Sequence, residues 1–173
     1  MRHRINPRIR STIAVVLVVI LDQATKLYIR DTFSETDLVP VIRGIFNIVH
    51  AENAGAAFSM LAGASSLIRQ VVLLGLPAFV LSVIALLLWS SPDSKRSIAW
   101  GMNSPLMRPG LTLIFAGALG NLIDRAFRGT VTDFIQVFIG TYEFPSFNVA
   151  DTVINIGAGL LLIDLLRTRK TIT

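Results

Sequence analysis

The stretch of residues 67–89, LIRQVVLLGLPAFVLSVIALLLW, decides the fold class of this chain. An apolar run of this length can cross a hydrocarbon core of about 30 Å as a helix. It carries Arg69 near one end and Pro77 inside, where we expect a kink. The whole chain has the same character, because 53% of its 173 residues are hydrophobic and only 16% are charged. We therefore predict an α-helical integral membrane protein.

Three further apolar runs complete a prediction of four transmembrane helices. The predicted spans are residues 11–29, 67–89, 107–127 and 147–166, with outer segments at 30–66 and 128–146, in one membrane-embedded domain that comprises residues 1–173. The first run follows basic residues, as the apolar part of a signal peptide does. No small-residue cleavage site follows it, and Asp22 interrupts it. We interpret it as a retained span.

The basic residues predict the orientation of the spans. Ten of them fall on one side of a four-span topology: Arg2, Arg4, Arg8, Arg10, Lys95, Arg96, Arg108, Arg167, Arg169 and Lys170. The positive-inside rule makes that side cytoplasmic and places both termini inside. Membrane orientation then explains the net charge of +5 better than nucleic-acid binding does. The chain has no cysteine, which excludes disulfides and thiolate chemistry.

The outer segments have their own local signals. Residues 38–42 (LVPVI) and 45–49 (IFNIV) are β-prone, and Arg43-Gly44 between them is a turn signal. We expect a small sheet on the membrane surface between spans one and two. In the second outer segment, residues 129–132 (GTVT) should end the third span. Asp133 then lies on a short segment that returns to the bundle.

Polar residues occur here where membrane spans tolerate few of them. Four aspartates lie in or beside the apolar runs: Asp22, Asp124, Asp133 and Asp151. The predicted topology places them at the outer-leaflet ends of spans together with Lys26, Asn53, Asn121, Arg125 and Asn148. Because a charge in hydrocarbon is costly, such residues are usually paired and functional. The pattern predicts an active site toward the outer leaflet.

Most of these groups also have a structural interpretation. The alternatives are an ion pair for Asp22 with Lys26, a helix end for Asp124 with Arg125, an N-cap for Asn148 with Asp151, and a tight turn for residues 53–59. Asp133 is the hardest to explain structurally, because its neighbours Val131, Phe134 and Ile135 are apolar and no basic residue adjoins it.

Two carboxylates within hydrogen-bond reach permit hydrolysis of an amide bond. They share a proton, because like charges that close do not both ionise, and one then acts as base on water while the other acts as acid. Asp133 and Asp151 are the predicted pair, with Asp151 the expected base because it lies near a helix N-terminus. The pair titrates as a unit, so the reverse division of roles stays open. Arg125, Asn53 and Asn148 are candidates for holding the substrate carbonyl or orienting the aspartates.

The motifs resemble those of bacterial lipoprotein signal peptidase (signal peptidase II). In chain order they are residues 22–26 (DQATK), 53–59 (NAGAAFS), 117–125 (GALGNLIDR), 131–135 (VTDFI) and 147–151 (FNVAD). The resemblance covers nearly the whole chain. It implies an intramembrane aspartyl endopeptidase of the bacterial inner (plasma) membrane. Such an enzyme cuts the signal peptide from a prolipoprotein just before a cysteine that carries diacylglycerol.

The resemblance also implies a role for each matching residue. It makes Asp133 and Asp151 the catalytic pair. The residues that it implies support the site or bind substrate are Asn53, Gly55, Asn121, Asp124, Arg125 and Asn148, and Asp22 with Lys26 matches a pair that stabilises the bundle. An outer β-cradle is implied as well, and the antibiotic globomycin is expected to bind in the substrate site. No metal or cofactor is expected, and no HExxH motif is present.

Two other classes of function are compatible with intramembrane charges. A small ion-coupled carrier or channel subunit predicts charges along a path across the bilayer and some repeat symmetry. The polar residues here cluster toward one leaflet, and the sequence has no internal repeat. A structural assembly factor predicts that Asp133→Asn has a mild effect. The expected partners are a prolipoprotein substrate and membrane lipids, and we expect a monomer.

Overall fold

The computed structural model describes residues 5–54, 68, 71–91, 94–95, 100–102 and 104–169. Its elements are, in chain order, α1 (Pro7–Thr32), β1 (Leu38–Ile42), β2 (Phe46–Asn53), a π-helical turn (Val71–Gly75) that leads into α2 (Leu76–Leu88), α3 (Met107–Arg128), β3 (Val131–Ile139), β4 (Tyr142–Phe147) and α4 (Val149–Arg169).

Four helical segments are long and apolar enough to cross a membrane: Pro7–Thr32, Val71–Leu88, Met107–Arg128 and Val149–Arg167. Many of their large apolar side chains lie on the protein surface, such as Leu17 and Phe79, which are 62% and 67% exposed. A surface this apolar is stable against lipid and not against water. The prediction of a four-span α-helical membrane protein is confirmed.

The helix ends follow local signals. Asn6 caps α1 by accepting a hydrogen bond from the backbone N–H of Arg8. Gly129 ends α3 with φ at 82°, as the predicted break after the third span requires. A kink inside a continuous helix was expected at Pro77. The structure instead has a change of helix type, because the π-helical turn ends at Gly75 and Pro77 lies in the first turn of α2. Arg69 lies outside the described residues.

The outer sheet is larger than predicted. β1 and β2 form the expected hairpin, with Leu38 opposite Val49. β3 and β4 add two strands, so the antiparallel sheet has the order β1-β2-β3-β4. The prediction that Asp133 lies on a short returning segment is therefore wrong, because Asp133 belongs to β3 and pairs with Ala51 of β2. The start of the fourth span also differs, since Phe147 ends β4 and α4 begins at Val149.

The helices approach one another closely where glycines face each other. A Cβ on Gly157 of α4 would lie 2.6 Å from the carbonyl oxygen of Gly110 on α3, which leaves no room for a side chain. α1 packs on α3 through a buried hydrogen bond in which the Thr112 hydroxyl donates to Ser11 over 3.0 Å. These contacts fix α1, α3 and α4 as one frame.

Connectivity places the sheet at one end of this frame. β1 follows the end of α1, β3 follows the end of α3, and β4 leads into the start of α4. The sheet therefore adjoins the helix ends that carry the polar residues. The predicted clustering at one end of the bundle follows from this arrangement.

Candidate active site

Asp133 is a buried carboxylate on a strand. Its side chain is only 2% exposed, and both of its oxygens accept hydrogen bonds from amides. Asn53 Nδ2 donates to Oδ2 over 2.8 Å, and Asn148 Nδ2 donates to Oδ1 over 2.7 Å. Asn53 comes from the neighbouring strand β2, where antiparallel pairing puts it two residues from the partner of Asp133. The sheet therefore sets the position of this carboxylate.

Asp151 lies in the first turn of α4, half-buried. Asn121 Nδ2 of α3 donates to its Oδ1 over 2.8 Å. The backbone N–H of Asn148 donates to its Oδ2 over 3.4 Å, while the N–H of Asp151 donates to Asn148 Oδ1 over 3.0 Å. This reciprocal pair is a capping box, so the N-cap interpretation of Asn148 and Asp151 describes real contacts. Capping places the carboxylate at the positive end of the helix.

Asn148 connects the two aspartates. It is fully buried, and its amide donates to Asp133 while its amide oxygen accepts from the backbone of Asp151. The same amide group also lies 3.3 Å from Asn121 Oδ1 and 3.4 Å from the Thr132 carbonyl oxygen. One side chain thus holds a strand carboxylate and a helix carboxylate in a fixed relation. The structural and functional interpretations of Asn148 are therefore compatible.

The electrostatics of Asp133 favour a bound proton. Burial and, to a smaller extent, the nearby charge of Asp151 raise the pKa of Asp133 to about 6, although the hydrogen bonds from Asn53 and Asn148 act to lower it. Below about pH 6 the Asp133 carboxyl therefore carries a proton in the free protein. Such a group can act as a general acid beside a second, hydrogen-bonded carboxylate. Within the residues that the structure describes, no group of His, Cys, Asp and Glu side chains could hold a metal ion.

A second polar cluster is centred on the fully buried Lys26 of α1. Its ammonium lies 2.9 Å from Asp22 Oδ2 and 2.7 Å from Asp124 Oδ2, and it donates to Asn121 Oδ1 over 2.9 Å. Asp22 Oδ1 also accepts the backbone N–H of Ala150 over 3.0 Å, which ties α1 to the first turn of α4. A Cβ on Gly120 would lie 2.5 Å from Asp22 Oδ2, so glycine leaves space for this contact.

A family model described as signal peptidase (SPase) II matches residues 14–167 of the chain. The chain belongs to the signal peptidase II family. A lipoprotein signal peptidase of Syntrophus aciditrophicus is 39% identical over 164 residues, which cover 95% of this chain and 96% of that relative. A lipoprotein signal peptidase of Geobacter sulfurreducens is 42% identical over 165 residues, which cover 95% of this chain and 96% of the relative.

Comparison with solved structures agrees with the signal peptidase II assignment. A structure described as a bacterial membrane enzyme, obtained by the in meso method, matches with a TM-score of 0.77 at 33% identity and covers 94% of this chain and 90% of that one. The family resemblance stated from the motifs is confirmed, and so is the class of enzyme, a protease. The alternative of an ion-coupled carrier or channel subunit is not supported.

In this member of the signal peptidase II family, the structure brings most of the predicted site residues together. Asn53 and Asn148 contact Asp133, and Asn121 contacts Asp151. Gly55 lies outside the described residues, as do the other residues of its motif from 55 to 59.

Asp124 and Arg125 were predicted to support the site, and neither contacts the two aspartates in the described part of the chain. Asp124 faces Lys26 and also lies 3.8 Å from Arg30 Nη1, so it belongs to the second polar cluster. Its oxygens meet these two cations as ion pairs, and no neutral donor among the described residues bonds to them. Arg125 Nε is buried and likewise has no described hydrogen-bond partner.

Sequence reasoning missed a polar network on the opposite face of the sheet. Thr130 and Thr132 donate to the Glu52 carboxylate, and His50 Nε2 lies 3.1 Å from Glu52 Oε1. Burial raises the pKa of Glu52, but hydrogen bonds from Thr130, Thr132 and His50 outweigh it and hold the pKa below its ordinary value. Glu52 precedes Asn53 in β2, and strand alternation turns neighbours to opposite faces. The position of Glu52 directly before the predicted site residue Asn53 was the sequence signal that could have indicated this network.

Proposed function

We propose that this protein is an intramembrane aspartyl endopeptidase that removes the signal peptide from diacylglyceryl-modified prolipoproteins. Cleavage falls just before the lipidated cysteine. The observation that supports this most directly is the pair Asp133 and Asp151, held together through Asn148 at the end of a membrane bundle. The names of the relatives, lipoprotein signal peptidases, support the class of substrate.

The proposed reaction uses Asp151 as base and Asp133 as acid. Asp151 removes a proton from water, whose oxygen attacks the scissile carbonyl carbon. Asp133 gives its proton to the leaving amide nitrogen as the carbon–nitrogen bond breaks. Return of a proton from Asp151 to Asp133 restores the pair. Burial and the raised pKa of Asp133 suit it to hold that proton before attack.

The proposed setting is the bacterial inner (plasma) membrane, with both termini cytoplasmic and the site toward the outer leaflet. Basic side chains support this orientation at the end of the bundle opposite the sheet. Arg8 Nε donates to the Ser90 carbonyl oxygen over 3.1 Å, and Arg108 Nη1 donates to the Leu88 carbonyl oxygen over 2.7 Å. Arginines that satisfy one carbonyl at the end of α2 and one just beyond it agree with a cytoplasmic face.

The proposed partners follow from this setting. The diacylglyceryl chains of the substrate lie in the bilayer beside the bundle. Enzyme and substrate are therefore both confined to the plane of the membrane, which favours their encounter. The protein acts as a monomer, and globomycin competes with the substrate at the pair of aspartates. Gly55, Asp124 and Arg125 retain their proposed supporting roles, Gly55 through close approach of the substrate backbone.

The test is cleavage of a diacylglyceryl-modified prolipoprotein by the purified protein in detergent. Asp133→Asn and Asp151→Asn should each lower kcat by about 10²- to 10⁴-fold or more, because each removes one partner of the acid–base pair. Asp164→Asn is the matched control. Asp164 is also a buried aspartate, but it bonds to Ser104 at the other end of the bundle, so its variant should keep the parent rate.

The outcomes distinguish the mechanism from the function. Full activity in Asp133→Asn or Asp151→Asn would refute the acid–base pair while leaving the peptidase in place. A folded parent protein that cleaves no lipid-modified substrate would refute the function itself. Cleavage that globomycin does not inhibit would refute the shared binding site.

A further inference from the structure

Lys26 is the only charged donor that contacts Asn121 within the described residues. The ammonium is fully buried and makes three short contacts, to Asp22, Asp124 and the amide oxygen of Asn121. Two of these contacts are ion pairs, one within α1 to Asp22 and one from α1 to Asp124 on α3. The third contact is different in kind, because Asn121 is neutral and is itself bonded to Asp151.

The chemistry of an ammonium fixes the direction of the Asn121 amide. An ammonium only donates hydrogen bonds, so it must face the amide oxygen and not the NH₂ group. Asn148 Nδ2 approaches the same oxygen at 3.3 Å. With its oxygen turned to two donors, Asn121 presents its NH₂ group to Asp151 Oδ1 at 2.8 Å. A flipped amide would set an oxygen against that carboxylate oxygen.

We propose that Lys26 is a positioning residue for the reaction, acting through Asn121 to hold the Asp151 carboxylate in place beside Asp133. This inference rests on the proposed peptidase function and deepens it. It concerns Asp151 alone, because Asn121 donates to that carboxylate, whereas the amide donors to Asp133 are Asn53 and Asn148. The buried cluster of α1 thus orients a group in the site in addition to holding helices together.

Other charged groups face the cluster and the pair. Asp22 lies on α1 with Lys26, Asp124 lies on α3 with Arg30 3.8 Å away, and Asp133 faces Asp151 from β3. A purely structural account of Lys26 uses only its ion pairs. The two accounts differ in what they predict for folded variants. Loss of an ion pair changes stability, whereas loss of amide orientation changes how the site titrates.

The experiment measures kcat, KM and the pH dependence of kcat for Lys26→Met and Asn121→Asp with a diacylglyceryl-modified prolipoprotein. Lys26→Met removes the donor that orients the amide. Asn121→Asp keeps an acceptor for Lys26 and removes the NH₂ group that faces Asp151. In both variants kcat should fall about tenfold or more while KM stays within about twofold. The acidic limb of the pH profile of kcat should move as well, because the pair of aspartates titrates as a unit and loses a hydrogen-bond donor.

Thr112→Val is the matched control. It removes a buried hydrogen bond between the same two helices, α1 and α3, but at a contact with Ser11 outside the cluster. It should lower thermal stability and leave the pH profile unchanged. If Lys26→Met does not fold, the double variant Lys26→Met/Asp124→Asn removes one charge of each sign. Asp22 then keeps the Ala150 N–H and Gln23 Nε2 as donors.

Each outcome is decisive. Lys26 variants that have the parent kcat and the parent acidic limb, with reduced stability alone, would overturn the positioning role. A shifted limb in Lys26→Met and Asn121→Asp but not in Thr112→Val supports it. Failure of the parent protein to cleave the substrate would instead refute the peptidase function, so the two failures are distinguishable.

Discussion

Replacement of Asn148 by serine or by alanine separates two tasks of one side chain. Asn148 caps α4 by accepting the N–H of Asp151, and it donates its amide to Asp133 over 2.7 Å. Serine keeps an oxygen that can cap the helix but has no amide to reach Asp133. Alanine loses both contacts. The two variants therefore share the loss at the active site and differ in the cap.

The sizes of both effects follow from the contacts. Loss of an N-cap costs about 1 kcal/mol, so Asn148→Ala should be less stable than Asn148→Ser by about that amount. A hydrogen bond to a charged group contributes about 1.5–3 kcal/mol, and on the proposed mechanism Asp133 becomes charged as it gives up its proton. If the bond to Asp133 acts fully in the transition state, both variants should lose about 10- to 150-fold in kcat/KM.

Unfolding in detergent measures the first difference, and cleavage of a lipid-modified prolipoprotein measures the second. Equal activity losses with unequal stabilities are the expected pattern. An Asn148→Ser protein with parent kcat/KM would refute the reasoning, because Asn148 would then be a helix cap and nothing more. Activity that fell in proportion to stability across the two variants would refute it as well.

Three further predictions concern pH and packing. Since Asp133 has a pKa of about 6 and must hold a proton to act as acid, kcat/KM should decline as the pH rises above that value, and a flat profile to pH 9 would contradict the assignment. The pKa of Glu52 is held below 4.5, so its carboxylate stabilises the fold above that pH and the contribution is lost as the pH falls further; Glu52→Gln should abolish this acid-sensitive part of melting curves recorded at pH 3–6. Gly157→Ala should be strongly destabilising, because its Cβ would lie 2.6 Å from the Gly110 carbonyl oxygen, whereas Gly159→Ala on the same helix meets nothing within 4 Å and should melt with the parent.

The four spans could be predicted because hydropathy and charge are local signals. Each long helix shows as its own apolar run, and the basic residues at one set of ends predict one orientation for all of them. Once the orientation is known, Asp22 and Asp151 must lie at the same end of the bundle although they are far apart in sequence. The first hairpin was equally local, since its strands and its turn are adjacent.

The pairing of β2 with β3 could not be predicted in the same way. Ala51 and Asp133 are joined only by the fold, and the segment around Asp133 gives no sign of which strand edge it meets. For this reason the sequence predicted a returning segment where a strand exists. The roles within the polar cluster were hidden too. Asn121 and Asp124 share a helical face, yet Asn121 reaches Asp151 while Asp124 turns to Lys26.

The order of the elements along the chain has a consequence for biosynthesis. Asp133 lies in the last strand pair and Asp151 in the last helix, so the ribosome makes both after the first three membrane segments. The earlier segments supply Lys26, Asn53 and Asn121, which support the site but include neither aspartate of the pair. A nascent or truncated chain that stops before α4 would carry no second carboxylate. Proteolytic competence, on the proposed function, would therefore arise only when the final helix enters the membrane.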